Sequence, residues 1–208
     1  MSLLDSLNNF RLGVAQVDSY MATAYVVDAN GVDIFDDAGK DFIVSSAFLK
    51  LFIAWEAFVE DIFAKYLIGE LSTDGTAVVK HVTPRDRDHA LRILIGTQKY
   101  VDWANHEIVK RLANLYLENG EPLRTNLSSI NAELADLKTI RNAAAHLSST
   151  TQPQLDALAS RVLGSAVTGT TVAKFVTKLH PNDATKTVLQ YYQGILDIAA
   201  ENIAANRI

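Results

Sequence analysis

Residues 42–68, "FIVSSAFLKLFIAWEAFVEDIFAKYLI", form the most apolar run in the chain and constrain its fold more than any other segment. The run is long enough to span a bilayer, but Lys50, Glu56, Glu60, Asp61 and Lys65 interrupt it every few residues. A charge at each turn suits a helix whose remaining face is buried in protein, so a core helix of a soluble domain is the expectation, with no membrane partner. Trp55, Phe58, Phe63 and Tyr66 recur at near-helical spacing within it and read as core rather than as a platform for stacked bases.

The rest of the chain repeats this period. Residues 2–27 carry Leu3, Leu4, Leu7, Phe10, Val14, Val17 and Met21 on one stripe, and runs that alternate apolar with polar residues are scarce. "DANGVDIFDDAGKD" reads as a loop or short hairpin, after which Asp41 is a plausible N-cap for a helix over 42–71. Pro84 closes a polar connection. A short helix is expected over "RDRDHALRILIG" and a long one over "TQKYVDWANHEIVKRLANLYLEN", stopped by Gly120 and Pro122. Ser128 or Ser129 can cap "INAELADLKTIRNAAAH". "TQPQLDALASRVLG" is a further helix ending at Gly164, the link "GSAVTGTT" leads to "VAKFVTKLH", and Pro181 and Asn182 precede a last helix, "ATKTVLQYYQGILDIAAENIAAN". The expected fold is all-α, an antiparallel helical bundle with short accessory helices, built as a single domain over residues 1–208.

Chemistry is then limited by what is missing. With no Cys among 208 residues, disulfides, thiolate metal sites and a Cys nucleophile are excluded together, and a reducing cytoplasm is the default compartment. The formal net charge of -5 argues against a non-specific nucleic-acid coat, so a polyanion site must be local. "HEIVK" at 106–110 fails as a zinc-protease helix because Lys110 stands where the second His is needed. "DANGVD" at 28–33 fails as a calcium loop because Val32 occupies a position needing an oxygen ligand. His81, His89 and His180 share no ligand spacing. Arg85, Arg87, Arg92 and Lys99 are interleaved with Asp86 and Asp88 and read as a charge-balanced helix start. Glu56 and Glu60 lie one turn apart, either as a solvated stripe or with one of them holding a cation from a later helix.

Residues 137–149, "LKTIRNAAAHLSS", carry the pattern left unexplained. Asn142 and His146 are poorer helix formers than the Ala residues between them. One reading is a plain helix end, where cationic Arg141 and His146 favour the dipole. The other is a site. At about 100° per residue, Asn142 and His146 share a face while Arg141 lies well around the helix, so one copy cannot easily aim Arg141 and His146 at one atom, whereas two copies meeting across a two-fold axis can. Ala143, Ala144 and Ala145 would let the backbones approach.

Arg141, Asn142 and His146 match the R-x4-H motif of the HEPN superfamily, with Asn142 as the polar residue that often follows the Arg. Together with "AWEAFVEDIF" in an early long helix, "RNAAAH" resembles the RiboL-PSP-HEPN branch; the His-x-Tyr extension of some HEPN toxins is absent, Ser148 standing in the Tyr place. The resemblance implies a metal-independent, cofactor-free endoribonuclease acting as a homodimer on RNA, in a toxin-antitoxin or defence setting with a possible antitoxin partner. His146 would be the acid or base, since an imidazole ordinarily titrates near pH 6.5, Arg141 would grip phosphate oxygens, and Asn142 would orient the imidazole or donate to phosphate. Glu56 would anchor the Arg or His from behind. Attack by the 2'-hydroxyl would leave a 2',3'-cyclic phosphate and a 5'-hydroxyl. The alternatives are a non-catalytic HEPN module that binds nucleotide or RNA or serves as a dimeric scaffold, and a helical interaction domain whose motif arose by chance.

Overall fold

The structure, a computed structural model, describes residues 2–146 and 148–208. Among the described residues the elements are α1 (Leu3–Ala24), α2 (Asp37–Ile68), α3 (Arg87–Ile95), α4 (His106–Tyr116), α5 (Leu123–Ser129), α6 (Asn131–Ala145), α7 (Thr151–Leu163), α8 (Val172–Val176), the strands β1 (Leu179–His180) and β2 (Asp183–Thr187), and α9 (Val188–Ala205). The protein is all-α, as the periodicity predicts, with one antiparallel two-stranded sheet as its departure.

The chain divides into two compact units. The first holds the residues up to Arg11, Ala54–Asn131 and Leu196–Ile208; the second holds Leu12–Ile53 and Ala132–Ile195. Helices α1, α2 and α9 each contribute one part to either unit.

In the first unit the core is aromatic. Trp55, Phe58, Phe63 and Tyr66 of α2 are buried, which bears out their reading as core, and Phe10 meets Trp55 edge-on at 5.8 Å between ring centroids. Each such side chain contributes on the order of 1.5–3 kcal/mol by leaving water. The Tyr66 hydroxyl donates to the carbonyl of Ile203 at 2.5 Å, and burial pushes its pKa well up. Lys65 is buried too, its ammonium held by Asp61 at 2.7 Å, by the Ser6 hydroxyl at 2.6 Å and by the Ser2 carbonyl at 2.9 Å. The second unit buries Val44, Phe48 and Leu51 of α2, Leu155 of α7, Phe175 of α8 and Tyr192 of α9 in a mixed aliphatic and aromatic core. Helix α2 is the one among the described residues long and apolar enough to cross a membrane.

Element boundaries differ from expectation where side chains rewrite the local pairing. The helix α2 starts at Asp37, because the carboxylate of Asp36 accepts the Gly39 N–H at 2.8 Å and caps it. Asp41 is therefore inside the helix and spends its carboxylate on the backbone N–H of Ala173, at 3.1 Å. Residues 97–105 are not helical. Val101 is buried there, Trp103 packs edge-on against Phe63, and Asn105 caps α4 by accepting from Glu107 N–H at 3.2 Å. Neither Ser128 nor Ser129 caps α6: both belong to α5, and the Ser129 hydroxyl donates back to the Asn126 carbonyl. The last helix starts at Val188 rather than at Ala184, since residues 183–187 pair with β1. Thr187 and Gln190 close its start reciprocally: the Gln190 N–H bonds the Thr187 hydroxyl oxygen at 3.2 Å and the Thr187 N–H bonds the Gln190 side-chain oxygen at 2.9 Å.

Candidate functional site

Helix α6 buries Leu134, Leu137, Ile140 and Ala143. That i, i+3 stripe fixes one face as core, and at about 100° per residue it leaves Asn142 and His146 on the opposite side with Arg141 on the flank. The polar pair is thus placed by the apolar one. Asn142 and Arg141 are half-buried and His146 is exposed.

The helix is held in its unit by Asp136, five residues ahead of Arg141. This carboxylate accepts from the Tyr192 hydroxyl of α9 at 2.9 Å and pairs with Arg161 of α7. Burial raises the Tyr192 pKa, and the Asp136 charge beside the hydroxyl raises it further. Sequence reasoning missed Asp136, Arg161 and Tyr192; their contact joins residues far apart in the chain and leaves no local signal.

Arg141 reaches its neighbour. Its Nη1 donates to the Asn142 side-chain oxygen at 3.3 Å, which orients the amide with its NH2 away from the guanidinium. The His146 N–H makes the last bond of the α6 ladder, to the Asn142 carbonyl at 3.0 Å, and its own carbonyl accepts from the Thr151 hydroxyl at 2.5 Å at the start of α7. The backbone of His146 is therefore clamped between two helices. Its imidazole hydrogen-bonds nothing among the described residues. Glu56, half-buried on α2, belongs to the first unit, whereas Arg141, Asn142 and His146 belong to the second.

No family model, no curated protein and no solved structure matches this chain.

The remaining polar motifs are occupied structurally. Asp86 caps α3 through the His89 N–H at 2.8 Å, and Arg87 binds Asp61 at 3.0 Å, so the basic stretch opens a helix and closes an ion pair. Lys110 pairs with Glu107 at 2.7 Å. Asp28 accepts the N–H groups of Asn30 and Val32 at 2.8 and 2.9 Å, and these backbone bonds keep its pKa below the usual carboxylate range. Among the described residues no three His, Asp or Glu side chains gather closely enough to hold a metal ion.

Proposed function

We propose that the chain is a metal-independent endoribonuclease of HEPN type, cutting RNA at a composite site in which two copies of the α6 terminus face each other. The observation that carries the reading is the placement of Asn142 and His146 opposite the buried stripe of α6, with the His146 imidazole exposed and Arg141 bonded to the Asn142 amide. In the reaction His146 of one copy takes the 2'-hydroxyl proton, or returns one to the leaving 5'-oxygen. Arg141 supplies charge to the phosphorane oxygens through its guanidinium fork. Asn142, with its oxygen turned to Arg141, offers its NH2 to a phosphate oxygen. Each role needs only side chains the chain already presents.

A second reading, a non-catalytic RNA-binding or dimeric interaction module, is favoured by one feature: a general base is ordinarily oriented by a partner group, and the His146 imidazole has none in the single chain among the described residues. On the enzyme reading that partner comes from the second copy.

The two separate in one experiment. Purified protein is incubated with mixed-sequence RNA in EDTA, beside His146→Ala and Arg141→Ala proteins. Cleavage to 2',3'-cyclic phosphate ends by the unsubstituted chain alone is expected, with DNA untouched. Each substitution should keep the helical circular dichroism, since His146 is exposed and neither side chain belongs to the core. Cleavage surviving both substitutions would refute the site. A monomer at micromolar concentration would refute the two-copy arrangement.

A further inference from the structure

Tyr25 follows directly after α1, is 44% exposed, and stands between two clefts of the second unit. One cleft, of about 830 Å³, is walled by Tyr25, Lys40, Lys174, Lys178 and the Thr-rich loop at 168–171. The other, of about 540 Å³, is walled by Met21, Tyr25, Thr177, Leu189 and Gln190. Tyr25 and Thr177 border both, so the two clefts adjoin at these side chains as the two parts of the groove.

The groove mixes an aromatic face with unneutralised cations. Lys40 lies 5.5 Å from the Tyr25 ring centroid and is paired with Asp33, so it steadies the ring rather than seeking a ligand. Lys174 and Lys178 are different: both are exposed, one on α8 and the other just beyond its end, and no carboxylate pairs with either among the described residues. The carboxylates bordering the groove are Asp37, Asp41 and Asp18. Asp41 is committed to the Ala173 N–H and Asp18 to the Gln193 amide, at 2.9 Å. Asp37 sits in the first turn of α2, where the positive end of the helix offsets its charge.

The wall of this groove is tied to the candidate cutting site. Asp156 of α7 accepts the N–H groups of Gly169 and Thr170, both at 2.9 Å, and Gln152 donates to the Thr170 carbonyl at 2.8 Å. Gln152 follows Thr151, whose hydroxyl holds the His146 carbonyl. Two adjacent residues of α7 thus connect the loop to His146.

We propose that the groove binds single-stranded RNA beside the cutting site, one base stacking on Tyr25 and the backbone phosphates running over Lys174 and Lys178. The proposal rests on the ribonuclease reading for its substrate. A stacking face accepts any base, and ammonium groups read phosphate rather than sequence, so the groove contributes affinity and direction without sequence choice.

The test measures fluorescence anisotropy of a labelled single-stranded RNA of about a dozen nucleotides. The full chain is used in the His146→Ala form so that nothing is cut, in EDTA and over roughly 50 to 200 mM salt. Adding K174Q and K178Q should raise Kd roughly ten- to thirty-fold at 0.1 M salt and lower the salt slope by about 1.4, at about 0.7 per phosphate contact. Adding Y25A should raise Kd on the order of tenfold and leave the slope unchanged. Unchanged Kd and slope in these variants, or no binding of the RNA at all, would overturn the groove. Binding sensitive to these side chains without cleavage by the unsubstituted protein would sustain the groove and sink the nuclease reading; cleavage with insensitive binding would do the reverse.

Discussion

Removing the charge of Asp61 tests how the first unit tolerates its buried lysine. The Lys65 side chain is 5% exposed and that of Asp61 25% exposed, with 2.7 Å between them. Asp61 also accepts from the Ser6 hydroxyl at 2.8 Å and from Arg87 at 3.0 Å. Breaking a buried pair by deleting one partner costs about 3–5 kcal/mol, because the other charge stays desolvated without compensation. Water reaches Asp61, and Lys65 keeps the Ser2 carbonyl and the Ser6 hydroxyl as acceptors, so Asp61→Asn should cost about 2–3 kcal/mol. At roughly 2–4 °C per kcal/mol for a chain of this size, Tm should fall by about 5–10 °C. Adding Lys65→Met to Asp61→Asn should recover most of the loss, since the stranded ammonium is then gone. Burial pushes the Asp61 pKa up, but hydrogen bonds from Lys65 and Ser6 outweigh it and the net shift is downward. A depressed carboxylate contributes stability above its unfolded pKa of about 4 and loses it as pH falls through the folded value. The gap between the Asn variant and the parent protein should therefore begin to narrow as pH falls below about 4 and close only below the depressed folded value. Urea and thermal unfolding followed by circular dichroism read all of this. A loss under about 1 kcal/mol, or a double variant no more stable than the single one, would refute the reasoning.

The start of α9 gives a smaller effect: Thr187→Ala removes the hydroxyl that accepts the Gln190 N–H, and should cost about 1 kcal/mol in urea unfolding; a neutral result would show that β2 alone fixes the helix start. His180 gives a pH signature. Its ring is buried, stacks on Tyr191 at 3.7 Å, and accepts the Asn182 N–H at Nδ1, which only an unprotonated nitrogen can do. Burial lowers its pKa against the opposing pull of Asp183. The unfolded chain then binds more protons between the folded pKa and about 6.5, so this contribution is lost as pH falls through that window. His180→Phe, which keeps an aromatic partner for Tyr191 and cannot titrate, should remove that slope; parallel stability profiles from pH 8 to pH 5 would count against it.

Local chemistry was legible in the sequence and long-range chemistry was not. The buried aromatics of α2, the helical period and the stop at Gly164, whose φ of +67° favours a glycine, all follow from residues within a turn or two of each other. The start of α2 lies at Asp37 rather than after Asp41 because Asp36 takes the capping bond, while the Ala173 N–H, brought in by tertiary packing, engages Asp41. The segment 97–105 keeps helical spacing on paper, yet Trp103 gains its burial by packing against Phe63 from an irregular stretch, and Asn105 caps the helix that follows. At the C-terminal helix, T-x-x-Q at 187–190 was a visible capping signal, and the unbroken periodicity of "ATKTVLQYYQ" obscured it.

The same division runs through the candidate site. Arg141, Asn142 and His146 are a sequence-local motif, and their placement relative to the core follows from the α6 stripe alone. What steadies that stripe, the Asp136, Tyr192 and Arg161 cluster, exists only in the folded chain. So does the groove: Tyr25, Lys174 and Lys178 line one cleft, in whose wall Asp156 pins the backbone of Gly169 and Thr170 and Asp41 pins Ala173. Both oxygens of Asp156 and one oxygen of Asp41 are turned to backbone N–H groups rather than to a lysine. The fold thereby keeps two ammonium groups unpaired in a chain whose net charge is -5, and this, more than any basic run in the sequence, is how an acidic protein can hold a polyanion locally.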